Sequence, residues 1–178
     1  MLTALAPAPQ AQAFLPELAH ELLLTRRVLE RVPTDRFDWQ PHAKSMSLGH
    51  LASHVADLLG NIASTMRTTE YDLANYAADH RTRPASTEEL LRHLDAGGED
   101  AQAALREALA EDFEQTWALR HGEYIILQHP RTQIVRHLIN HCIHHRGQLS
   151  VYLRLLDVPL PGIYGPTADE EFFPPMPN

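Results

Sequence analysis

A single cysteine, Cys142, among 178 residues rules out any disulfide within the chain and every zinc motif built on cysteine pairs. Basic residues are outnumbered, 15 against 23 acidic ones, and the formal net charge of −8 leaves no basic face of the kind that binds phosphate backbones. Arg26-Arg27 and Arg81/Arg83 come nearest to a basic cluster, and both read as solvated helix ends or loops. No nucleic-acid partner is expected. Uninterrupted apolar runs are also missing: nothing approaches the ~20 residues of a membrane-spanning helix. The opening residues have no basic start, and Pro7 and Pro9 break their short apolar stretch. The tripeptide Ala11-Gln12-Ala13 resembles a cleavage site but stands alone, so a cytoplasmic chain without a membrane partner is expected. There is no internal repeat, no Gly-x-Ser-x-Gly, no His-Glu-x-x-His and no phosphate-binding glycine loop.

What is present is helical periodicity. Phe14, Leu15, Leu18, Leu22 and Val28/Leu29 recur at helical spacing and predict a first helix over 10–31, ended by Pro33. Residues 33–46 carry two prolines and no period, and read as a connector. Ser47 suits an N-cap, since its hydroxyl can accept from an orphan backbone N–H. Leu48, Leu51, Val55, Leu58 and Ile62 then mark a second helix that fades near Thr68-Thr69. A polar loop is expected over 70–86. A third helix should start at Ser86 or Thr87 and run to about Ala110, interrupted at Gly97-Gly98, where each glycine costs roughly 1 kcal/mol. Residues 113–129 fit either a short hairpin turning at His121-Gly122 or irregular chain. Pro130 suits the first turn of a fourth helix, about 130–157. Six of thirteen prolines lie between 159 and 178, a tail expected to lie extended over the helices.

Histidine is the compositional excess: twelve, with four between 137 and 145. His137, His141 and His145 are spaced by four and share one stripe of the fourth helix. Two imidazoles one turn apart can converge on one ion at ~2.0–2.1 Å. At about 100° per residue, the apolar face centred on Ile134, Leu138, Cys142, Leu149, Tyr152 and Leu156 places His145 about 40° and His141 about 80° from its middle. His137 and His144 fall about 120° and 140° away, toward solvent or a neighbouring subunit. On the second helix His54 lies about 80° from the apolar centre and His50 about 120°. His54, His141 and His145 are therefore the candidate metal ligands. His20, His42, His80, His93, His121 and His129 read as ordinary surface or hydrogen-bonded residues. Glu17-Leu-Ala-His20 offers one Glu-x-x-His, but no second one and no matching glutamates, so a di-iron carboxylate bundle is excluded.

The order of motifs is Phe37-Asp-Trp-Gln-Pro, Ser47-Leu-Gly-His-Leu-Ala-Ser-His54, His137-Leu-Ile-Asn-His141-Cys-Ile-His-His145-Arg-Gly-Gln148 and Leu155-Leu-Asp-Val-Pro-Leu-Pro-Gly-Ile-Tyr-Gly-Pro166. It resembles the DinB-like (damage-inducible) family of metal-binding four-helix bundles, over about 10–170. The resemblance implies an all-α, up-down four-helix bundle over 10–158, with a long connection between helices 2 and 3. A flexible N-terminus over 1–9 would precede it, and a Pro-rich extension over 159–178 would pack on it. The family's metal is held by one histidine of the second helix and two, four apart, of the last; these map onto His54, His141 and His145. The resemblance further implies a homodimer. It also implies chemistry on low-molecular-weight thiols, as S-transfer or thiol-dependent isomerisation, or metal-dependent hydrolysis.

Three neutral imidazoles on one side of a divalent ion leave positions open, the arrangement of catalytic rather than structural sites. Zinc or nickel is expected first, with iron and manganese compatible. The favoured expectation is a small thiol, held as a metal-bound thiolate, that attacks an electrophilic small-molecule substrate. The competing ones are a hydrolase using metal-bound hydroxide and a non-catalytic metal-binding module of a stress response. Asp57 and Gln148, one turn beyond His54 and His145, are candidates to orient the ligating rings. Cys142 reads as a buried small hydrophobe, and Tyr164 as a residue that could fold back over the pocket.

Overall fold

The computed structural model describes residues 8–75 and 83–170. Helix α1 spans Pro9–Leu29, followed by a 3-10 turn at Thr34–Arg36. Next come α2 (Leu48–Leu58), α3 (Asn61–Arg67) and a three-residue strand β1 (Glu70–Asp72). Helix α4 covers Thr87–Glu107 and α5 covers Ala110–Glu114; the hairpin β2 (Thr116–His121) and β3 (Tyr124–Pro130) leads into α6 (Arg131–Leu155). The molecule is mostly helical, and α2 packs against both α6 and α4, while α1 packs against α4 and α6. Among the described residues no helix is long and apolar enough to cross a membrane.

The caps form as their residue types require. The Ser47 hydroxyl accepts from the His50 backbone N–H at 3.3 Å, and the Ser86 hydroxyl accepts from that of Glu89 at 3.2 Å. The connector before α2 is held by the backbone: Leu48 N–H donates to the Trp39 carbonyl at 2.7 Å and Gly49 N–H to that of Phe37 at 2.9 Å. Phe37 lies so close to Gly49 that an added Cβ would stand 2.9 Å from its ring. The irregular 33–46 segment thus clamps the start of the helix that carries His54.

Three expectations need correction. The all-α reading lacked a sheet: β1 pairs parallel with β2 (Glu70↔Ala118), and β2 pairs antiparallel with β3. The start of the expected polar loop over 70–86 is therefore a strand. Its pairing partner lies 48 positions on (Arg120 against Asp72), out of reach of any local pattern. Residues 76–82 of that segment, with His80 and Arg81, lie outside the described residues, as do 1–7 of the expected N-terminus and 171–178 of the tail. Second, of the two alternatives for 113–129 the hairpin forms, over Thr116–Pro130, but its turn is at Gly122-Glu123 rather than His121-Gly122, and Phe113 and Glu114 belong to α5; Gly122 adopts φ 57°, which glycine tolerates without steric cost.

Third, Gly97-Gly98 does not interrupt the third helix, which runs unbroken through both. These glycines serve packing. A Cβ on Gly60 would stand 3.0 Å from the Gly97 Cα, and one on Gly98 would stand 2.7 Å from the Leu22 side chain. The expected second helix is itself divided at Leu59-Gly60, where it presses on α4. Gly60→Ala should therefore destabilise by about 1–3 kcal/mol, because the opposing atom is backbone and cannot rotate away. Gly147, inside α6 with nothing within 4 Å of a built Cβ, should behave in the opposite way: Gly147→Ala gains about 0.5–1 kcal/mol of helix propensity. Urea denaturation of the two variants checks the opposite signs.

The core gathers Leu18, Leu29, Leu51, Leu59, Ile139 and Leu149, among others, from α1, α2, α4 and α6. The buried residues of α6 are Arg131, Ile134, Val135, Ile139, Cys142, Arg146, Leu149 and Leu153. They are rotated from the apolar face read in the sequence, and they take in two arginines, Arg131 at the helix start and Arg146 in its middle. Residues 159–170 are tied to α1 and α6. The Arg27 guanidinium donates to the Gly162 carbonyl at 2.7 Å and pairs with Glu170 at 2.7 Å, and Arg154 pairs with Asp169.

Candidate metal centre

Helices α2 and α6 pack side by side, and their facing edges carry the three histidines. The His54 and His141 rings lie 5.1 Å apart between centroids, His54 and His145 4.7 Å, and His141 and His145 4.7 Å. One ligand nitrogen from each lies within 4.8 Å of the others, and all three residues are half-buried. Any triangle with sides of 4.8 Å or less has a point no more than about 2.8 Å from every corner, so a small side-chain adjustment brings all three nitrogens to the ~2.0–2.1 Å of a metal bond. The Nε2 atoms of His141 and His145 already face each other at 2.8 Å. The donor set and its convergence fit one divalent ion. Among the described residues no fourth His, Cys, Asp or Glu joins this group.

The electrostatics favour the ligating protonation state. Burial, aided by the neighbouring His145, His137 and His144, pushes the His141 pKa down to about 4. At neutral pH His141 is an uncharged imidazole with a lone pair to give. His50, one turn before His54, is also pushed down, first by burial and then by Arg83.

The remaining candidates fall as helical geometry ranked them. His137 and His144 are exposed, with rings 5.6 Å from His141 and 5.0 Å from His145. His20, His42, His93, His121 and His129 are exposed and outside the group. The Asp57 carboxylate meets His93 Nδ1 on α4 at 3.2 Å. Gln148 does reach the centre, with its amide oxygen 2.7 Å from His145 Nδ1. Cys142 is buried, beside the Thr25 hydroxyl at 3.5 Å, and burial pushes its thiol pKa up. Tyr164 does fold back on the helices, but its hydroxyl engages Glu21 and Arg146.

That last cluster was not legible as a site. Arg146, 1% exposed, pairs with Glu21 at 2.7 Å, donates to the Thr25 hydroxyl at 3.1 Å and to the Tyr164 oxygen at 2.6 Å. Tyr164 in turn donates to the Glu21 carboxylate at 2.8 Å, and burial and that carboxylate hold its pKa up. The network closes the back of α6 one residue after His145. The only sequence signal for it was a charged residue inside an otherwise regular apolar period.

Comparison with known proteins bears on the fold and the family. The chain is 26% identical over 157 residues to the uncharacterized protein YrdA of Bacillus subtilis (strain 168), covering 88% of this chain and 89% of that one. A solved structure of a DinB-like protein from Bacillus cereus superposes with a TM-score of 0.67 at 22% identity, over 86% of this chain and 97% of that one. Another, a DinB-like protein from Bacillus subtilis, gives 0.64 at 17% identity, over 87% and 99%. At such identities the two structures speak for the fold alone. The family model that matches residues 8–172 is the DinB family, and the chain belongs to it.

Proposed function

We propose that this protein is a metal-dependent enzyme that transfers a small-molecule thiol to an electrophilic substrate. The observation that carries the proposal is the convergence of His54, His141 and His145 from two helices at a half-buried point. A zinc or nickel ion there, with iron or manganese as alternatives, would lower the pKa of a thiol that binds it, so that thiolate exists at neutral pH. The chain's own residues then have three tasks. The uncharged imidazoles hold the ion without neutralising it. The flanking apolar residues of α2 and α6 limit water. The fixed backbone around Phe37, Trp39 and Gly49 keeps His54 facing α6.

The one cysteine of the chain does not compete as a nucleophile. Cys142 is fully buried against Thr25 with its pKa raised, so the thiol has to come from outside. The same family reading makes the long helical segments an up-down bundle and the chain a homodimer acting on small molecules.

The test is conjugation. Zinc- or nickel-loaded protein is incubated with a chloro-aromatic electrophile and each of several low-molecular-weight thiols, and adducts are followed by mass spectrometry. Adduct formation that requires both metal and thiol, and that His141→Ala abolishes, is the expected result. Hydrolysis of an ester or amide without any thiol would replace the proposal with a hydrolase. Inertness in both assays would leave a metal-binding module.

A further inference from the structure

We infer that Gln148 is the positioning residue that sets the tautomer of His145, presenting its Nε2 lone pair to the metal. The inference rests on the metal reading above. An imidazole offers a lone pair at one nitrogen only when its proton is on the other. His145 Nδ1 lies 2.7 Å from the Gln148 amide oxygen, which can only accept, so the proton belongs on Nδ1. The opposite nitrogen, Nε2, then carries the lone pair, and it is the atom that faces His141 Nε2 at 2.8 Å.

The amide is itself oriented. Its N–H lies 3.1 Å from His144 Nε2, which accepts from it in the Nδ1-protonated tautomer of His144, while the amide oxygen is the end turned toward His145. An inverted amide would direct N–H at His145 Nδ1 and force that ring's proton onto Nε2, into the metal position. The residues at 144, 145 and 148 therefore form one chain of donors and acceptors along α6, ending at the nitrogen that would hold the ion. Gln148 does this as an amide rather than a carboxylate. It orients the ring while adding no negative charge behind it, so the ion keeps its full positive charge for an incoming anionic ligand.

Gln148 and His144 are both exposed, so replacing either leaves the core intact. Two measurements test the assignment. In the first, the metal-free protein carries 15N-labelled histidine, and nitrogen shifts report which ring atom bears the proton. His145 should be protonated at Nδ1 in the native chain and mixed between tautomers in Gln148→Leu. In the second, Zn²⁺ alone is titrated against a chromophoric chelator. Gln148→Leu should bind about 10–100-fold more weakly, the usual effect of removing a group that orients a metal-bound imidazole. Gln148→Glu, which keeps an acceptor, should return to within about threefold of the native affinity.

A proton on Nε2 of His145 in the native metal-free protein would overturn the assignment. So would a native Zn²⁺ affinity in Gln148→Leu, or a Gln148→Glu variant as weak as the leucine one. If the metal reading itself were wrong, neither native nor variant protein would bind Zn²⁺ stoichiometrically. The tautomer measurement would still decide the part played by Gln148.

Discussion

His141→Ala is expected to take the divalent metal recovered with the purified protein from about one per chain to almost none, and His54→Ala should do the same. Each substitution removes one of three nitrogens that lie within 4.8 Å of one another, and the two that remain sit on a site with no fourth candidate among the described residues. Removing a group that merely orients a ligand costs 10–100-fold in affinity, so losing a ligand itself should exceed about 100-fold. The fold should survive. Both side chains are half-buried at the edge of the core, and the apolar contacts between α2 and α6 run through Leu51, Val55, Ile139 and Leu149 instead. His137→Ala is the internal control, because that ring is exposed and takes no part in the Gln148 contacts, and it should retain metal. Elemental analysis after gel filtration reads the stoichiometry, and circular dichroism checks the helices. Full occupancy in both His54→Ala and His141→Ala would remove the site.

Glu21→Ala should be strongly destabilising. The Arg146 side chain is 1% exposed and its charge is matched by Glu21 at 2.7 Å, with the Thr25 hydroxyl, the Tyr164 oxygen and the Glu21 carbonyl also accepting from it. Deleting the carboxylate leaves a guanidinium in the interior with no counter-charge. Breaking a buried pair in this way costs about 3–5 kcal/mol, more than the pair itself adds over an apolar equivalent. The double variant Glu21→Leu/Arg146→Met should therefore be far milder than Glu21→Ala. Chemical denaturation distinguishes them. A loss below about 1 kcal/mol for Glu21→Ala would mean that water reaches Arg146 and the cluster is not sealed. Tyr164→Phe is the intermediate case, since it removes only the hydroxyl that joins the tail to Glu21 and Arg146.

The helices were legible because their signals are local. Ser47 and Ser86 cap where a hydroxyl is needed, Pro130 stands at the entrance of α6, and the leucines of α2 repeat at the helical period. Spacing also picked out the three histidines that the fold brings together, because His54, His141 and His145 differ from His50, His137 and His144 by fixed angular steps around their helices. Where the reading failed, the missing partner was far away in the chain. Gly97 reads as a helix breaker until Gly60 is seen against it, and Glu70–Asp72 reads as loop until β2 lies alongside. The apolar face of α6 was misplaced by the same cause. A charged residue counts against burial in a periodic reading, yet Arg146 is buried because Glu21, 125 positions earlier, meets it.

The amino-acid sequence by itself determined where α1, α2, α4 and α6 begin, which edges of α2 and α6 carry imidazoles, and that no disulfide within the chain can form. These depend on caps, periods and residue types within a few turns. Tertiary structure alone decided that the imidazoles meet, that Asp57 serves His93 while Gln148 serves His145, and that Arg146 and Tyr164 lock the tail against α1. Those outcomes depend on distances between groups remote in the chain, which are set by how the helices pack and not by any pattern along one of them.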